Sequence, residues 1–336
     1  MKTLTIVFQG PTGEPGMLSP EVRDNILQTR RFFPDAEMIV SSWRMTSVAD
    51  EALQRAMDAI QVRLILSDDP GVIIGSDEAG EYRCNVNRLL CSSRAGLVAA
   101  TRPLAVKIRT DSRLNGRELE CAINRYVVQR GGPERHPHYQ IFRDRVINAS
   151  WFARDARGSL PFLYHPGDIL LAGRTEDLRL FFSAPLAGAE LFQPSSIPGV
   201  WIPWRYVPEQ WLWVHAIRNV SGRTVYQGGL RYTEQELHDS ECYFLNNFVP
   251  FSPRQLKLRW PKYWRCYPLR GLFSTMTFSR WSQLHAWYQH GQRGAPYRMP
   301  DRMLTALWRA GYILRVKLLK KTIVRRLMIR LFSHHR

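Results

Sequence analysis

A chain of 336 residues, 45% of them hydrophobic, can bury a sizeable core, which excludes a disordered polypeptide and leaves room for one large domain or two modest ones. Its net charge of +18 is unevenly placed: residues 1–249 hold 28 Lys/Arg against 28 Asp/Glu, whereas residues 250–336 hold 19 basic residues against the single acid Asp301. A neutral body with a basic C-terminal third points to an anionic surface as partner, and five dispersed cysteines exclude a disulfide framework or a structural zinc site.

From the N-terminus, "LTIVFQG" predicts a buried strand ending in a Gly/Pro turn. It is too short for the apolar core of a signal peptide, and no run reaches 18 uncharged apolar residues, so a cytoplasmic chain without a spanning helix is expected. Ser19-Pro20-Glu21 opens a helix that runs to "FFP" at 32–34. "EMIVSSW" predicts a second strand, residues 49–60 a helix, and "VRLILSDD" a third strand closed by Pro70-Gly71. After a polar loop, residues 85–100 form a helix with apolar Val86, Leu89, Leu90, Leu97 and Val98, and "LAVKIRTD" follows as a fourth strand. This alternation implies βαβ units, a mostly parallel sheet and a Rossmann-like nucleotide-binding half. Beyond residue 115 the pattern loosens, although "PHYQIFRDRVINASWFAR" and "GDILLAGRTEDLRLFF" read as further pieces of the same sheet. The proline-rich "FQPSSIPGVWIPWRYVPEQ" is mainly loop, and nine of the eleven tryptophans lie beyond residue 200.

Ligands of open α/β sheets bind outside the carboxyl ends of the strands, so polar strand ends are the first candidates. Gln9-Gly10 lets backbone approach a phosphate or base, or is a tight turn only. Asp68-Asp69-Pro70-Gly71 is a turn by composition, with Asp68 also placed to contact a ribose or base. Along "KIRTD" the alternation of a strand brings Lys107, Arg109 and Asp111 to one face. Two cations beside one carboxylate suit a diphosphate and its metal ion, or form a strand-end salt-bridge cluster. Pro208 starts a helix with Glu209 in its first turn, where the dipole alone accommodates an acid and where a general base could also sit. His165 and Asp168 flank the next strand, with Asp168 read as a hydrogen-bonded structural aspartate and Thr175 as a helix cap.

Seven blocks in order resemble the WavE family of lipopolysaccharide-synthesis proteins: "FQGP" at 8–11, "FPDAEMIVSSW" at 33–43, "DDPG" at 68–71, "NVNRLLCSSRAGL" at 85–97, "KIRTD" at 107–111, "GDILLAGRTEDL" at 167–178 and "PEQWL" at 208–212. The resemblance covers about residues 4–220 and leaves the basic third outside. The resemblance implies a glycosyltransferase of GT-A fold, moving a sugar from a nucleotide-sugar donor to a lipid-linked saccharide. It places Asp111 where such enzymes hold metal and diphosphate, implying a possible Mn or Mg cofactor; no second Asp follows, and Arg109 or Arg113 is the alternative source of positive charge. The donor contacts expected are Gln9, Gly10, Asp68, Asn87, Arg88, Lys107 and Arg109, with Glu209 read as the general base near the acceptor.

The resulting organisation is a nucleotide-sugar-binding and catalytic domain at 1–240, an aromatic and basic accessory region at 241–301, and a basic helix at 302–336. That last segment carries ten Lys/Arg and no acid. Its expected apolar stripe is Trp308, Tyr312, Val316, Leu319, Ile323 and Leu327, suited to the inner face of an anionic membrane. The competing class is a non-enzymatic binding protein using the basic aromatic third, but no helix-turn-helix, zinc-ligand or RNP-type motif supports nucleic acid as partner. A hydrolase would need a nucleophile elbow that the chain lacks.

Overall fold

A computed structural model of the chain describes residues 2–77, 80–158, 162–193, 204–261, 273–291, 299–319 and 323–324. The first strand, β1 (Leu4–Gln9), is buried at all positions, as a strand covered on both faces must be. Helix α1 (Pro20–Phe32) starts as the sequence predicts, with the Ser19 hydroxyl accepting from Val22 N and Pro20 in the first turn. There follow β2 (Glu37–Trp43), α2 (Ser47–Asp58) capped by Thr46, β3 (Arg63–Ser67), β4 (Ile73–Asp77), β5 (Gly80–Cys84), α3 (Val86–Ala99) and β6 (Leu104–Arg109). The next elements are β7 (Arg113–Leu114), α4 (Glu118–Ile123), β8 (Val146–Ala149), β9 (Leu170–Arg174) and α5 (Thr175–Phe181). The chain then forms α6 (Pro208–Ser221), α7 (Glu234–Asn247), β10 (Phe248–Phe251), β11 (Leu258–Arg259), α8 (Phe278–Gln289) and α9 (Met299–Leu319).

Seven strands make one sheet in the order β10-β8-β9-β6-β1-β2-β3. All neighbours are parallel except β9, which runs antiparallel to both β6 and β8. The result is a mixed Rossmann-like sheet of the glycosyltransferase type, with helices on both faces. Alternate residues of each strand feed two cores. Ile6, Phe8, Val40 and Ile108 pack with Ile26 of α1, Met57 of α2 and Ile123 of α4. Val7, Ile39, Ala105 and Leu171 pack with Leu97 of α3, Phe181 of α5, Trp213 of α6 and Phe244 of α7. On the second face Trp213 stands 4.8 Å from Phe248 and 5.1 Å from Phe142, ring centre to ring centre. Trp211, Trp213, Trp260 and Trp281 are all buried, so much of the aromatic enrichment beyond residue 200 builds core.

Several expectations are refined by these contacts. Part of the segment read as a polar loop after β3 is an antiparallel hairpin, β4–β5. Its alternation is masked by Gly75, Ser76 and the charged Glu81 and Arg83. Thr175 does not cap α5: Arg174 occupies the cap position, and the Thr175 hydroxyl donates to the Arg102 carbonyl instead. The boundary expected at residue 240 falls inside α7, and β10 beyond it forms an edge of the same sheet by pairing with β8. In α9, Met303, Leu307, Leu314 and Leu318 are exposed and, spaced four, seven and four residues apart, share one helix face. Leu314 and Leu318 are not part of the expected stripe. Of that stripe, Trp308 and Ile323 are exposed, and Tyr312, Val316, Leu319 and Leu327 lie outside the described side chains. Among the described residues no helix is long and apolar enough to cross a membrane.

Candidate active site

At the carboxyl edge of the sheet, the turns after β1 and β6 are locked together. Gly10 has φ +134°, and a side chain there would meet Thr110 Oγ1, so glycine serves both the backbone and the close approach. Thr110 donates through its amide to the Gln9 carbonyl at 3.1 Å and through its hydroxyl to the Pro11 carbonyl at 2.8 Å, while Asn25 of α1 donates to the Thr110 carbonyl. Gln9 is buried and donates to Ser92 Oγ of α3 at 2.9 Å, which leaves its Oε1 with no hydrogen-bond partner.

The three residues aligned along β6 divide into two groups. Lys107 is fully buried; its Nζ donates to the Asp168 carbonyl at 2.6 Å and lies 3.6 Å from Asp168 Oδ2. Asp168 reaches this position because Gly167, at φ +76°, lets the turn lie against the backbone of Phe152 and Ala153. Arg109, by contrast, forms a fork with Asp111: Nε donates to Oδ1 and Nη2 to Oδ2, each at 2.9 Å. Its guanidinium lies 5.2 Å from the centre of the Trp260 ring. This pair is partly open, with side chains 33% and 27% exposed.

Pro208 and the dipole of α6 place Glu209 against the Lys107–Asp168 group, together with His165, whose Nε2 is 3.6 Å from Glu209 Oε2. Burial, and after it the Asp168 charge, push the Glu209 carboxyl up to about 8, against the pull of its own helix amide, Arg154 and Lys107. Burial and Arg154 hold His165 well below its ordinary value, so the imidazole is neutral, and its Nδ1 has no hydrogen-bond partner. Burial also lowers Lys107, with Asp168 opposing. Arg154 is fixed by donation to Ser274 Oγ at 2.7 Å, and its amide donates to the His165 carbonyl at 2.8 Å. Cys84, at the end of β5, has its thiol pushed up to about 11 by burial, the Val86 amide opposing, with Glu209 contributing to the rise. Sequence reasoning did not single out Arg154 or Cys84. Neither lies in a spacing pattern with Glu209, and only the tertiary fold brings them within electrostatic reach.

The remaining candidates lie on the side of β3 and α3. Asp68 is 96% exposed on its side chain and lies 3.3 Å from Arg44 Nε. Arg88 grips the neighbouring Asp69, which also accepts from the Gly71 amide and so shapes the turn. Asn87 is buried and clamps Ala187, donating to its carbonyl at 2.9 Å and accepting from its amide at 2.8 Å. Asn87 and Arg88 therefore fix the two loops beside α3. Among the described residues no group of three or more His, Cys, Asp or Glu side chains gathers to hold a metal. Asp111 is thus a lone carboxylate, each oxygen of which accepts once from Arg109.

Chemically, the edge presents a largely buried carboxyl raised to about 8 and, at a separate strand end, an arginine oriented by a carboxylate. The family model for WavE lipopolysaccharide synthesis matches residues 4–304. The match runs well past residue 220, through α7, β10 and α8 into α9, so most of the basic third lies within the family match rather than outside it. No curated protein matches the chain.

Proposed function

Because the chain belongs to the WavE lipopolysaccharide synthesis family, we propose that it is a glycosyltransferase that moves a sugar from a nucleotide-sugar donor to a lipid-linked saccharide. The observation that carries this reading is Glu209, largely buried at the start of α6 beside Asp168 and Lys107, with its carboxyl raised to about 8. In the proposed reaction an acceptor hydroxyl gives its proton to Glu209 as its oxygen bonds to the donor's anomeric carbon. The bond from that carbon to the diphosphate breaks, and the electron pair leaves on the diphosphate oxygen. Arg109 faces the growing negative charge, with Asp111 orienting its guanidinium and Trp260 supporting its plane. Lys107 acts beneath the site: it supports the Asp168 turn and limits the rise of the Glu209 carboxyl.

The test is transfer by the wild-type chain and by Glu209→Gln across a panel of nucleotide sugars with a lipid-linked acceptor, alongside donor binding. Loss of transfer with donor binding retained supports the assignment; equal transfer at saturating acceptor refutes it. We place the enzyme peripherally at the inner face of the cell membrane, held by the exposed apolar face of α9 and the basic excess around it. Full-length chain is then expected to float with anionic vesicles and release as salt rises, whereas a chain truncated after Pro300 stays in the soluble fraction. Equal partitioning of the two would remove the membrane role.

A further inference from the structure

A cleft of about 320 Å³ opens at the other end of the sheet, lined by Tyr126, Arg130, Arg135, Gln140, Arg143, Asp144 and Arg145. Arg143–Arg145 precede the first residue of β8, which runs parallel to β6, so the cleft lies at the amino edge, across the sheet from Gln9 and Arg109. Four arginines face one lining carboxylate, and that carboxylate is doubly engaged: Asp144 accepts from Arg130 at 2.7 Å and also from Arg174. The nearby Asp177 is occupied by the amides of Arg143 and Asp144, and Glu176 lies 3.8 Å from Arg143.

Two of the guanidiniums have only carbonyl and amide oxygens as hydrogen-bond acceptors. Arg135 donates to the carbonyls of Asn246, Arg143 and Phe142. Arg145, only 3% exposed, donates to the Pro133 carbonyl at 2.7 Å, stands 5.7 Å from the Trp281 ring centre, and has an Nε with no hydrogen-bond partner. Burial, and then the neighbouring Arg135, pull Arg145 down to about 10, so it remains charged at neutral pH. A buried cation without a counter-charge is costly to fold around, and an anion in the cleft would relieve that cost.

We propose that this cleft is a second binding site, taking the phosphate ester of a phosphorylated saccharide. The chemistry fits in two respects. Guanidinium forks match phosphate oxygens. The volume, at the lower end of the roughly 300–1,000 Å³ of small-ligand pockets, accommodates a sugar as well as its phosphate, with Gln140 available to a hydroxyl. The proposal stands apart from the transfer reaction, because none of these residues belongs to the Glu209 group.

The test is calorimetric titration of the full chain with inorganic phosphate and with glucose 6-phosphate, comparing wild type, Arg143→Ala and Arg109→Ala. Arg143 is 56% exposed on its side chain and can be truncated without opening the core. About tenfold weaker binding of both probes in Arg143→Ala, a loss that Arg109→Ala does not reproduce, supports the site. Arg145→Lys, which keeps the charge but not the fork, is expected to weaken binding as well. Vesicles containing phosphatidic acid separate the sources of the phosphate: vesicle binding unchanged in Arg143→Ala identifies a soluble ester, and vesicle binding weakened with the probes identifies a lipid headgroup. If Arg143→Ala binds both probes as wild type does, or Arg109→Ala alone abolishes binding, the cleft is not a phosphate site.

Discussion

The turn after β6 and the first turn of α6 each present one acid flagged by the sequence, Asp111 and Glu209, and their surroundings are opposite. Asp111 is partly open and held by both arms of one guanidinium. Glu209 is 14% exposed on its side chain, has a neutral imidazole and a second carboxylate for neighbours, and meets its cations, Arg154 and Lys107, only as weaker influences. In the proposed reaction the same functional group is an orienting partner in one place and a proton acceptor in the other. What separates them is desolvation and the order of their neighbours rather than residue type.

The sharpest way to break this comparison is Glu209→Gln, for which transfer is expected to fall about 10²- to 10⁴-fold, the range of a lost general base. Its stability carries a second signature. A carboxyl raised from 4.5 to about 8 on folding favours the protonated folded state. Between those values the unfolded chain ionises first, so that stability declines as pH rises. Glutamine removes this dependence, and chemical denaturation at several pH values should show Glu209→Gln gaining on wild type from about pH 5 to pH 8. If the two stability curves stay parallel, Glu209 does not titrate in this window.

A smaller effect sharpens the role of the second carboxylate. For wild type, kcat/KM should rise with pH through an inflection near 8, as the free enzyme's base ionises. Since Asp168 is one cause of the raised value, Asp168→Asn is expected to move the inflection to lower pH. The variant also loses stability, because Lys107 keeps its carbonyl partner but not its carboxylate. The profile is therefore measured per folded enzyme, and an unmoved inflection would separate Asp168 from Glu209.

Asp111→Asn should be milder, at about 10- to 100-fold in transfer with a raised donor KM, since it loosens Arg109 without removing it. Exposed by about a third, the pair contributes on the order of 1 kcal/mol or less to stability, so thermal unfolding should barely change. The smallest effect expected is that of a chelator. With both Asp111 oxygens on Arg109, wild-type transfer should persist within about threefold in EDTA. Abolition by EDTA and recovery with manganese would show that Arg109 yields the carboxylate to a metal.

How legible the molecule was depends on the range of the interactions involved. β1, β2, β3 and β6 and their intervening helices could be read in the sequence because apolar runs, the Ser19 cap and Pro20 act over a few residues. The hairpin β4–β5 hid behind polar residues, and the face of α9 depended on which of two apolar rows is left uncovered. Candidate residues were legible as types and as strand ends, since a carboxyl edge is where such sheets expose polar groups. Their partners were not legible: nothing local in "KIRTD" says that Lys107 turns to Asp168 while Arg109 turns to Asp111.

By itself the sequence determined the α/β class, the family and the segregation of charge, all properties of composition and short-range order. Only the tertiary structure decided that β9 enters antiparallel between β6 and β8. That insertion carries the His165–Asp168 turn to the carboxyl edge, where Glu209 arrives from α6. It also decided that Arg135 and Arg145 meet at the opposite edge with only carbonyl and amide oxygens as hydrogen-bond acceptors. Protonation and charge compensation depend on burial and on groups far apart in the chain, and those become defined only when the sheet and its two helical layers close around them.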